Sequence, residues 1–401
     1  MNILIIAPFF APNSEVGSVR MMSLSKYLIK NGHSVTVLCW SVEKLLTMYS
    51  AEELNSKVPD GVKIVEFNSV AGKIPILDDI RFGYELRRKI GKLIEPRAYD
   101  VALVTCGPYF SLKAIPKLRK KYNIPCILDF RDLGALNYRP MLRDDYKKIA
   151  LCKRPIDKLY KTVVYLREND AVKIADGVIC VSDIDLEKMR IEYNIPVEKL
   201  IVATNGFDEE KLAKIKAKEK KSGIVGAVFG KFMYYSKARA EALLLSIDKL
   251  RKDGVDIKLM HIGRKNDAVF EAIKKNNIEI DCFQACGLKE YGEGMSLLGS
   301  ADFFVVEDTS PDDVGTKIYD YIFWNKPIIA SVPKEIPLAQ LVDSFEHGYV
   351  CDNQEKIDIA LNDIILNKYA NLDSKVDRMK YSRVYQNKKI ENLMKRLVLR
   401  R

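Results

Sequence analysis

The chain has 401 residues, 48% of them apolar and 30% charged, which excludes disorder, collagen and coiled coil as its main state. That length predicts two or three domains, each with room for its own core. Lys and Arg number 65 against 54 Asp and Glu, and the resulting +11 asks for an anionic partner: nucleic acid, an acidic membrane face or a phosphorylated substrate.

No apolar run approaches the roughly 20 residues that a membrane-crossing helix needs. The first residues lack the basic flank and cleavage site of a signal peptide. The eight cysteines fall mostly in apolar runs, where a free thiol behaves as a small buried hydrophobe, so the chain reads as reduced and cytoplasmic, with no metal site.

In chain order, residues 2–7 form an apolar run that reads as a strand and ends in a turn-rich stretch from Pro8 to Asn13. Apolar Val19, Met22, Leu24, Leu28 and Ile29 predict a helix from Ser18 that Asn31-Gly32 stops, and residues 34–40 are again strand-like. Strand, helix and strand at this spacing predict a parallel βαβ unit. Further strands are predicted over 62–67, 100–105, 125–130, 177–181 and 201–203, with a helix over 111–122. Residues 208–222, DEEKLAKIKAKEKKS, are nearly free of large apolar side chains and read as a linker or a solvated helix. The alternation then restarts, with strands over 223–229, 257–262, 278–283, 301–306 and 327–331 and helices over 238–252, 288–299 and 317–323. Continuous apolar strands between amphipathic helices imply α/β domains with doubly wound parallel sheets, covered on both faces. The expected division is 1–206, a linker over 207–222, 223–374, and a helical tail over 375–401. From Asp373 onward the chain carries ten basic and three acidic residues.

Open parallel sheets bind ligands outside the carboxyl ends of their strands, so the loops there are the candidate sites. After the first strand, Gly17 lets a ligand approach the backbone, the helix start at Ser18 offers N–H groups to an anion, and Arg20 adds charge. The plainer reading is an ordinary turn with a surface Arg. No GxGxxG is present, which speaks against a dinucleotide. Thr105-Cys106-Gly107-Pro108 and Asp129-Phe130-Arg131-Asp132 also follow strands. Two carboxylates around an Arg suit acid–base work or sugar hydroxyls, and equally suit a local pair that closes a turn. Asn205-Gly206 is by itself a turn signal. In the loop Gly230 to Lys237, Lys231 and Lys237 are placed for a diphosphate, or are simply solvated. The last loop, Glu307 to Tyr321, is the sharpest. The N–H groups of Val314, Gly315, Thr316 and Lys317 are placed to hold phosphate oxygens, Asp320 to take a ribose diol, and Asp312 to face a transferred group. Alternatively Asp312 and Asp313 only complement the helix dipole.

Together these loops resemble the retaining glycosyltransferases of family 4 over most of the chain. The resemblance is carried by the opening βαβ unit with Gly17 and Gly32-His33-Ser34-Val35, by Asp129-Phe130-Arg131-Asp132-Leu133, by Asn205-Gly206-Phe207-Asp208, and by Gly315 to Tyr321 followed by Asn325 to Ala330. It implies the GT-B fold: two facing Rossmann-like domains, a cleft between them, and a C-terminal helix returning to the first. It also implies donor contacts from Gly17, Arg20, Lys231, Lys237, Val314, Gly315, Thr316, Lys317 and Asp320. Asp312 and Asp320 stand where the family often has Glu, and Lys231 and Lys237 match its diphosphate-binding Arg and Lys without a clean Arg-x-Lys-Gly pattern. Asp312 contacts the donor sugar on this reading, and Asp132 or Arg131 occupies the acceptor side in place of a frequent His; His33 is structural.

The activity implied is hexosyl transfer from a nucleotide-sugar, a UDP-sugar being expected, with retention of configuration and with no cofactor or metal. The acceptor expected is a hydroxyl of a lipid-linked saccharide in surface-polysaccharide synthesis. The basic tail with Arg87-Arg88-Lys89, Lys117 to Lys121 and Lys147-Lys148 then suits the anionic inner face of the cell membrane, and nucleic acid is not an expected partner. The competing readings are a nucleotide-sugar-rearranging relative such as an epimerase, a non-catalytic homologue, and a nucleic-acid-binding protein.

Overall fold

The structure is a computed structural model that describes residues 1–13, 16–50, 54–69, 75–137, 154–220, 222–308, 314–367 and 377–400. It divides into two units, Met1–Asn205 with Val384–Arg401, and Gly206–Arg383.

In the first unit, strands β1 (Asn2–Ile6), β2 (Ser34–Trp40), β3 (Lys63–Phe67), β4 (Val101–Cys106), β5 (Cys126–Phe130), β6 (Gly177–Cys180) and β7 (Leu200–Val202) form one sheet in the order β3-β2-β1-β4-β5-β6-β7. Every pairing in it is parallel. Helices α1 (Val16–Lys30), α2 (Val42–Leu46), α3 (Pro75–Leu93), α4 (Arg154–Ile174) and α5 (Asp183–Tyr193) connect the strands. Alternate strand residues point to opposite faces. Leu4, Ile6, Val104 and Leu128 therefore enter one core, while Ile3, Ile5, Leu103 and Ile127 enter the other. This is why the strands read as unbroken apolar runs.

In the second unit, α6 (Glu209–Leu212) is followed by β8 (Ile224–Phe229), α7 (Lys237–Lys252), β9 (Ile257–Ile262), α8 (Asp267–Lys275), β10 (Phe283–Gly287), α9 (Tyr291–Gly299) and β11 (Phe303–Val306). Then come α10 (Lys317–Trp324), β12 (Ile328–Ala330), α11 (Pro337–Asp343), β13 (Gly348–Val350) and α12 (Gln354–Leu366). The sheet order is β10-β9-β8-β11-β12-β13, the same winding as in the first unit. In both sheets the order reverses beside the first strand, between β1 and β4 and between β8 and β11. That reversal opens a crevice at the strands' carboxyl ends.

The last helix, α13 (Arg383–Leu399), buries Ile390, Leu393 and Met394 in the core of the first unit with Ile3, Ile5 and Leu103. Gly177 makes room for it: a Cβ there would lie 3.1 Å from Leu393. Glu391 accepts from Tyr27 at 2.9 Å, pairs with Lys395 at 2.6 Å and meets His33 Nε2 at 2.9 Å, contacts that hold its carboxyl down at about 2 against the cost of burial. His33 thus ties the helix to the α1–β2 turn.

Two elements differ from their sequence-based expectation. The strand expected over 278–283 begins at Phe283, because its register with β9 pairs Phe283 with Leu259 and Ala285 with His261. It is an edge strand with Gln284 and Ala285 exposed, so its sequence carries no apolar run. The helix expected over 111–122 is a 3-10 helix over Tyr109–Ala114 and a π-helical turn over Lys117–Lys121, with Pro116, which has no N–H to give, between them. Within 208–222, Leu212 is fully buried in the second unit's core beside Phe207. Among the described residues no helix is long and apolar enough to cross a membrane.

Candidate functional site

In the first unit the loops after β1, β4 and β5 converge at the sheet's reversal point. Arg131, just past β5, donates from Nη2 to the Gly107 carbonyl past β4, and Gly107 has the left-handed φ of +112°. The same guanidinium lies against Gly17 in the first turn of α1, where a Cβ would stand 2.1 Å from Nη1. Arg131 Nε is buried with no hydrogen-bond partner among the described residues. Two expected residues, Gly17 and Arg131, are therefore neighbours, and they set a cation at a helix N-terminus.

Arg20, expected at the donor, is engaged by groups of the fold itself. Its Nε and Nη2 bind both oxygens of Asp129, at 3.0 and 2.9 Å, while Nη2 and Nη1 donate to the carbonyls of Ala203 and Thr204, each at 2.9 Å. These bonds use four of the five N–H donors of a guanidinium. Asp129 is fully buried and Arg20 is 8% exposed. The pair closes the end of β5 against the end of β7. Asp129 consequently pairs with Arg20 across the fold rather than with Arg131 next to it in sequence. Asp132 is exposed, and its backbone carbonyl accepts from Tyr109 at 2.8 Å.

The Asn205-Gly206-Phe207-Asp208 stretch has a structural explanation. A Cβ on Gly206 would stand 2.6 Å from the Tyr381 carbonyl, because the chain crosses residues 381–383 there with backbone bonds of 3.1 and 2.9 Å through Phe207. Asp208 caps α6 by accepting from Lys211 N at 3.0 Å.

In the second unit the equivalent loop, Gly230 to Ser236, is held by three side chains from outside it. The Gly230 carbonyl can only accept, so His261 Nε2 donates to it across 2.7 Å. Burial lowers the pKa of His261, against the pull of the Gly230 carbonyl. Asn266 donates to the Phe232 carbonyl at 2.9 Å. Glu307, at the end of β11, accepts from Met233 N at 2.9 Å and fixes that residue at a left-handed φ of +58°. Burial pushes the Glu307 carboxyl up to about 7, and its Oε1 is buried with no hydrogen-bond partner among the described residues. Arg239, whose Nε donates to the Ser331 carbonyl at 3.0 Å, pulls in the opposite direction electrostatically.

Over this frame lies Lys317, the first residue of α10. Gly230 has a φ of +93°, and a Cβ there would stand 2.0 Å from Lys317 Nζ. The Lys317 ammonium has no hydrogen bond or ion pair among the described residues; burial first, then neighbouring Lys231, lowers its pKa, against the pull of Asp308. Lys231 is exposed, with Nζ 4.2 Å from the centre of the Tyr234 ring. Lys237 is exposed at the start of α7. Gly315 is exposed beside the Asp308 carboxylate, and Thr316 leads into α10 without capping it by its side chain. The start of α10 thus carries Lys317 itself, with Lys231 near enough to act on its charge.

One turn further on, Asp320 accepts from Tyr291 at 2.9 Å, and burial raises its carboxyl to about 6. The Lys211 ammonium lies 4.1 Å from the centre of the Tyr291 ring and, with Arg383, moderates that rise. Asp312 lies outside the described residues.

Residues 17–211, just under half of the chain, match the family described as Glycosyltransferase Family 4. No curated protein matches the chain in sequence. Solved structures match nearly its whole length. A glycosyltransferase from Rickettsia africae superimposes with a TM-score of 0.59 at 15% identity, covering 100% of this chain and 96% of that one. HepE of Anabaena, solved with UDP and glucose, gives 0.57 at 15% identity over 99% and 100%. A UDP-GlcNAc 2-epimerase from Neisseria meningitidis, bound to UDP-GlcNAc, gives 0.57 at 14% over 99% and 100%. The chain has the GT-B fold.

Within this GT-B chain, Gly17 with Arg131 and Lys231 with Lys317 are brought together at the two reversal points, while Lys237 and Asp132 lie exposed at their margins. Sequence reasoning missed His261, Asn266, Glu307 and Tyr291 as parts of the site. For two of them a signal existed: a lone His inside the apolar run Ile257–Ile262, and a Glu closing the apolar run Phe303–Val306. Both are polar groups where burial demands a partner.

Proposed function

We propose that the protein is a retaining glycosyltransferase that moves a hexosyl group from a UDP-sugar to a hydroxyl of a lipid-linked saccharide acceptor. The observation that carries this reading is the pair Lys231 and Lys317 at Gly230, with no hydrogen bond or ion pair to Lys317 among the described residues, next to the start of α10, which no side chain caps. When a glycosidic bond to a diphosphate breaks, negative charge grows on the leaving oxygen, and preorganised cations and N–H groups lower that barrier. A diphosphate bound there offsets both the burial and the neighbouring Lys231 that disfavour the charge on Lys317. Lys231, Lys237 and the N–H groups of Val314, Gly315, Thr316 and Lys317 hold the phosphates, and Asp320 takes the ribose. Gly17 is assigned to donor contact, Arg131 and Asp132 to the acceptor, and Asp312 to the donor sugar. No cofactor or metal is assigned to the reaction.

The acceptor and place of work follow from charge. A lipid-linked anionic acceptor in surface-polysaccharide synthesis, met at the inner face of the cell membrane, accounts for a chain of +11. A second reading, rearrangement of a UDP-sugar, is favoured by the likeness to an epimerase structure.

Calorimetry against a panel of UDP-sugars tests the donor site. Asp320→Ala is expected to weaken binding about 10-fold, the worth of about one charge-assisted hydrogen bond. Unchanged affinity for every UDP-sugar would remove Asp320 from the site. NMR of the products separates the readings: a new glycosidic bond with the donor's anomeric configuration supports transfer, and a changed sugar without a new bond supports rearrangement.

A further inference from the structure

We infer that the outer face of α3, with the π-helical turn at Lys117–Lys121, is the surface by which this protein docks on anionic phospholipid. The inference rests on the proposed lipid-linked acceptor for its purpose, and on geometry for its place. Helix α3 buries Leu86 and Ile90, while Gly83 and Gly91 let Lys113 and Tyr122 pack against it. Its opposite stripe is solvent-facing: Leu77 is 57% exposed, Ile80 42% and Tyr84 68%, and Arg87 and Arg88 continue the line. This spacing of three, four and three or four residues keeps the stripe on one side of the helix, over about 16 Å.

At its basic end the stripe opens into a groove of about 560 Å³, lined by Tyr84, Arg87, Arg88, Pro116, Lys117, Lys120 and Lys121. Five of these residues are cationic and none is acidic. The helix's own acids are engaged elsewhere: Asp78 with Arg81 at 2.8 Å, Asp79 with Arg167 at 2.6 Å, and Glu85 with Ser69 at 2.7 Å and Lys89 at 3.4 Å. Among the described residues no carboxylate pairs with Arg87, Arg88, Lys117, Lys120 or Lys121. Lys117 turns inward to the carbonyls of Arg87 and Arg88, at 2.7 and 3.0 Å. The groove is a concentration of like charge that an anion relieves.

The apolar half of the stripe selects the kind of anion. A soluble phosphate fills the groove and leaves Leu77 and Ile80 in water. A phosphate-backbone polymer gains little from exposed aliphatic side chains and stacks its bases on aromatic ones, of which the groove offers only Tyr84. An anionic leaflet uses both halves, with phosphates at the arginines and lysines and acyl chains around Leu77 and Ile80.

Co-sedimentation of the full chain with phosphatidylcholine vesicles, with and without phosphatidylglycerol, tests this. The wild type is expected to prefer the anionic vesicles, and Arg87→Gln/Arg88→Gln/Lys120→Gln to lower that partition about 100-fold. Leu77→Ser/Ile80→Ser is expected to lower partition to anionic vesicles while leaving its salt dependence unchanged. Thermal melts show that each variant is folded. Equal binding of wild type and triple variant overturns the assignment. So does displacement by inorganic pyrophosphate with no effect of the serine variants, which makes the groove a soluble-anion site. So does loss of poly(U) RNA binding in the triple variant with vesicle binding intact, which makes it a nucleic-acid site. Affinity for UDP-sugars, by calorimetry without vesicles, is expected to be unchanged in the triple variant. No affinity of the wild type for any UDP-sugar removes the glycosyltransferase reading separately.

Discussion

The two units repeat one design with opposite electrostatic outcomes. Each sheet reverses order beside its first strand, and each has a glycine in the following loop with a cation laid over it, Arg131 over Gly17 and Lys317 over Gly230. In the first unit the neighbouring charges are satisfied internally. Arg20 is locked to Asp129, and Arg131 leans on the Gly107 carbonyl. In the second unit Lys317 is held by no hydrogen bond or ion pair among the described residues; burial and neighbouring Lys231 disfavour its charge, with only Asp308 drawing the other way. The same topology therefore carries an internal ion pair at one reversal point and, on the proposed reading, an anion site at the other. The difference lies in Arg20, whose charge a fully buried carboxylate at the end of β5 compensates, whereas no hydrogen bond or ion pair holds Lys317 among the described residues.

Removing the Arg from the first pair should produce the largest effect. Arg20→Ala leaves Asp129 buried and uncompensated, which costs about 3–5 kcal/mol of stability. Chemical denaturation should show that loss with affinity for UDP-sugars nearly unchanged. A fall in affinity at intact stability would mean that Arg20 reaches the ligand, and the contrast between the units would collapse.

Next is the pin beneath the second unit's loop. The Glu307 carboxyl is raised from 4.5 to about 7, so the folded state holds its proton more tightly than the unfolded chain. Its contribution is complete below the unfolded value and is lost as pH rises through about 7. Glu307→Gln should flatten that part of the pH–stability curve, by up to about 3 kcal/mol between acid and alkaline limits. Parallel curves for the two proteins would show that Glu307 is not held protonated by the fold.

The smallest of the three is Lys317→Met, which keeps length and removes charge. Affinity for UDP should fall about 10- to 100-fold by calorimetry, with thermal stability unchanged or raised. A stability loss with affinity intact would turn Lys317 into a structural residue like Arg20.

Legibility from sequence followed how local each signal was. Unbroken apolar runs gave β1, β2, β4, β8, β9 and β11, because a strand covered on both faces has only apolar positions. Edge strand β10 was misplaced, since exposed Gln284 and Ala285 erase that pattern. Helices α3 and α4 were not delimited, because solvent-facing charges interrupt their apolar positions. At the site, Gly17, Arg131, Lys231 and Lys317 stood out through their place after strands. Arg20 looked identical in type and position, and only the fold showed it spent on Asp129, 109 residues away.

By itself the sequence determined two tandem doubly wound parallel sheets and the loops at their carboxyl ends, because hydrophobic periodicity and turn residues act over a few neighbours. Tertiary structure alone decided which charges in those loops are neutralised and which are left for a ligand. It did so because a buried ion pair such as Arg20–Asp129, a donor such as His261 on the Gly230 carbonyl, or a crowding such as Lys231 with Lys317 joins residues from different elements. Their separation in sequence carries no information about their separation in space.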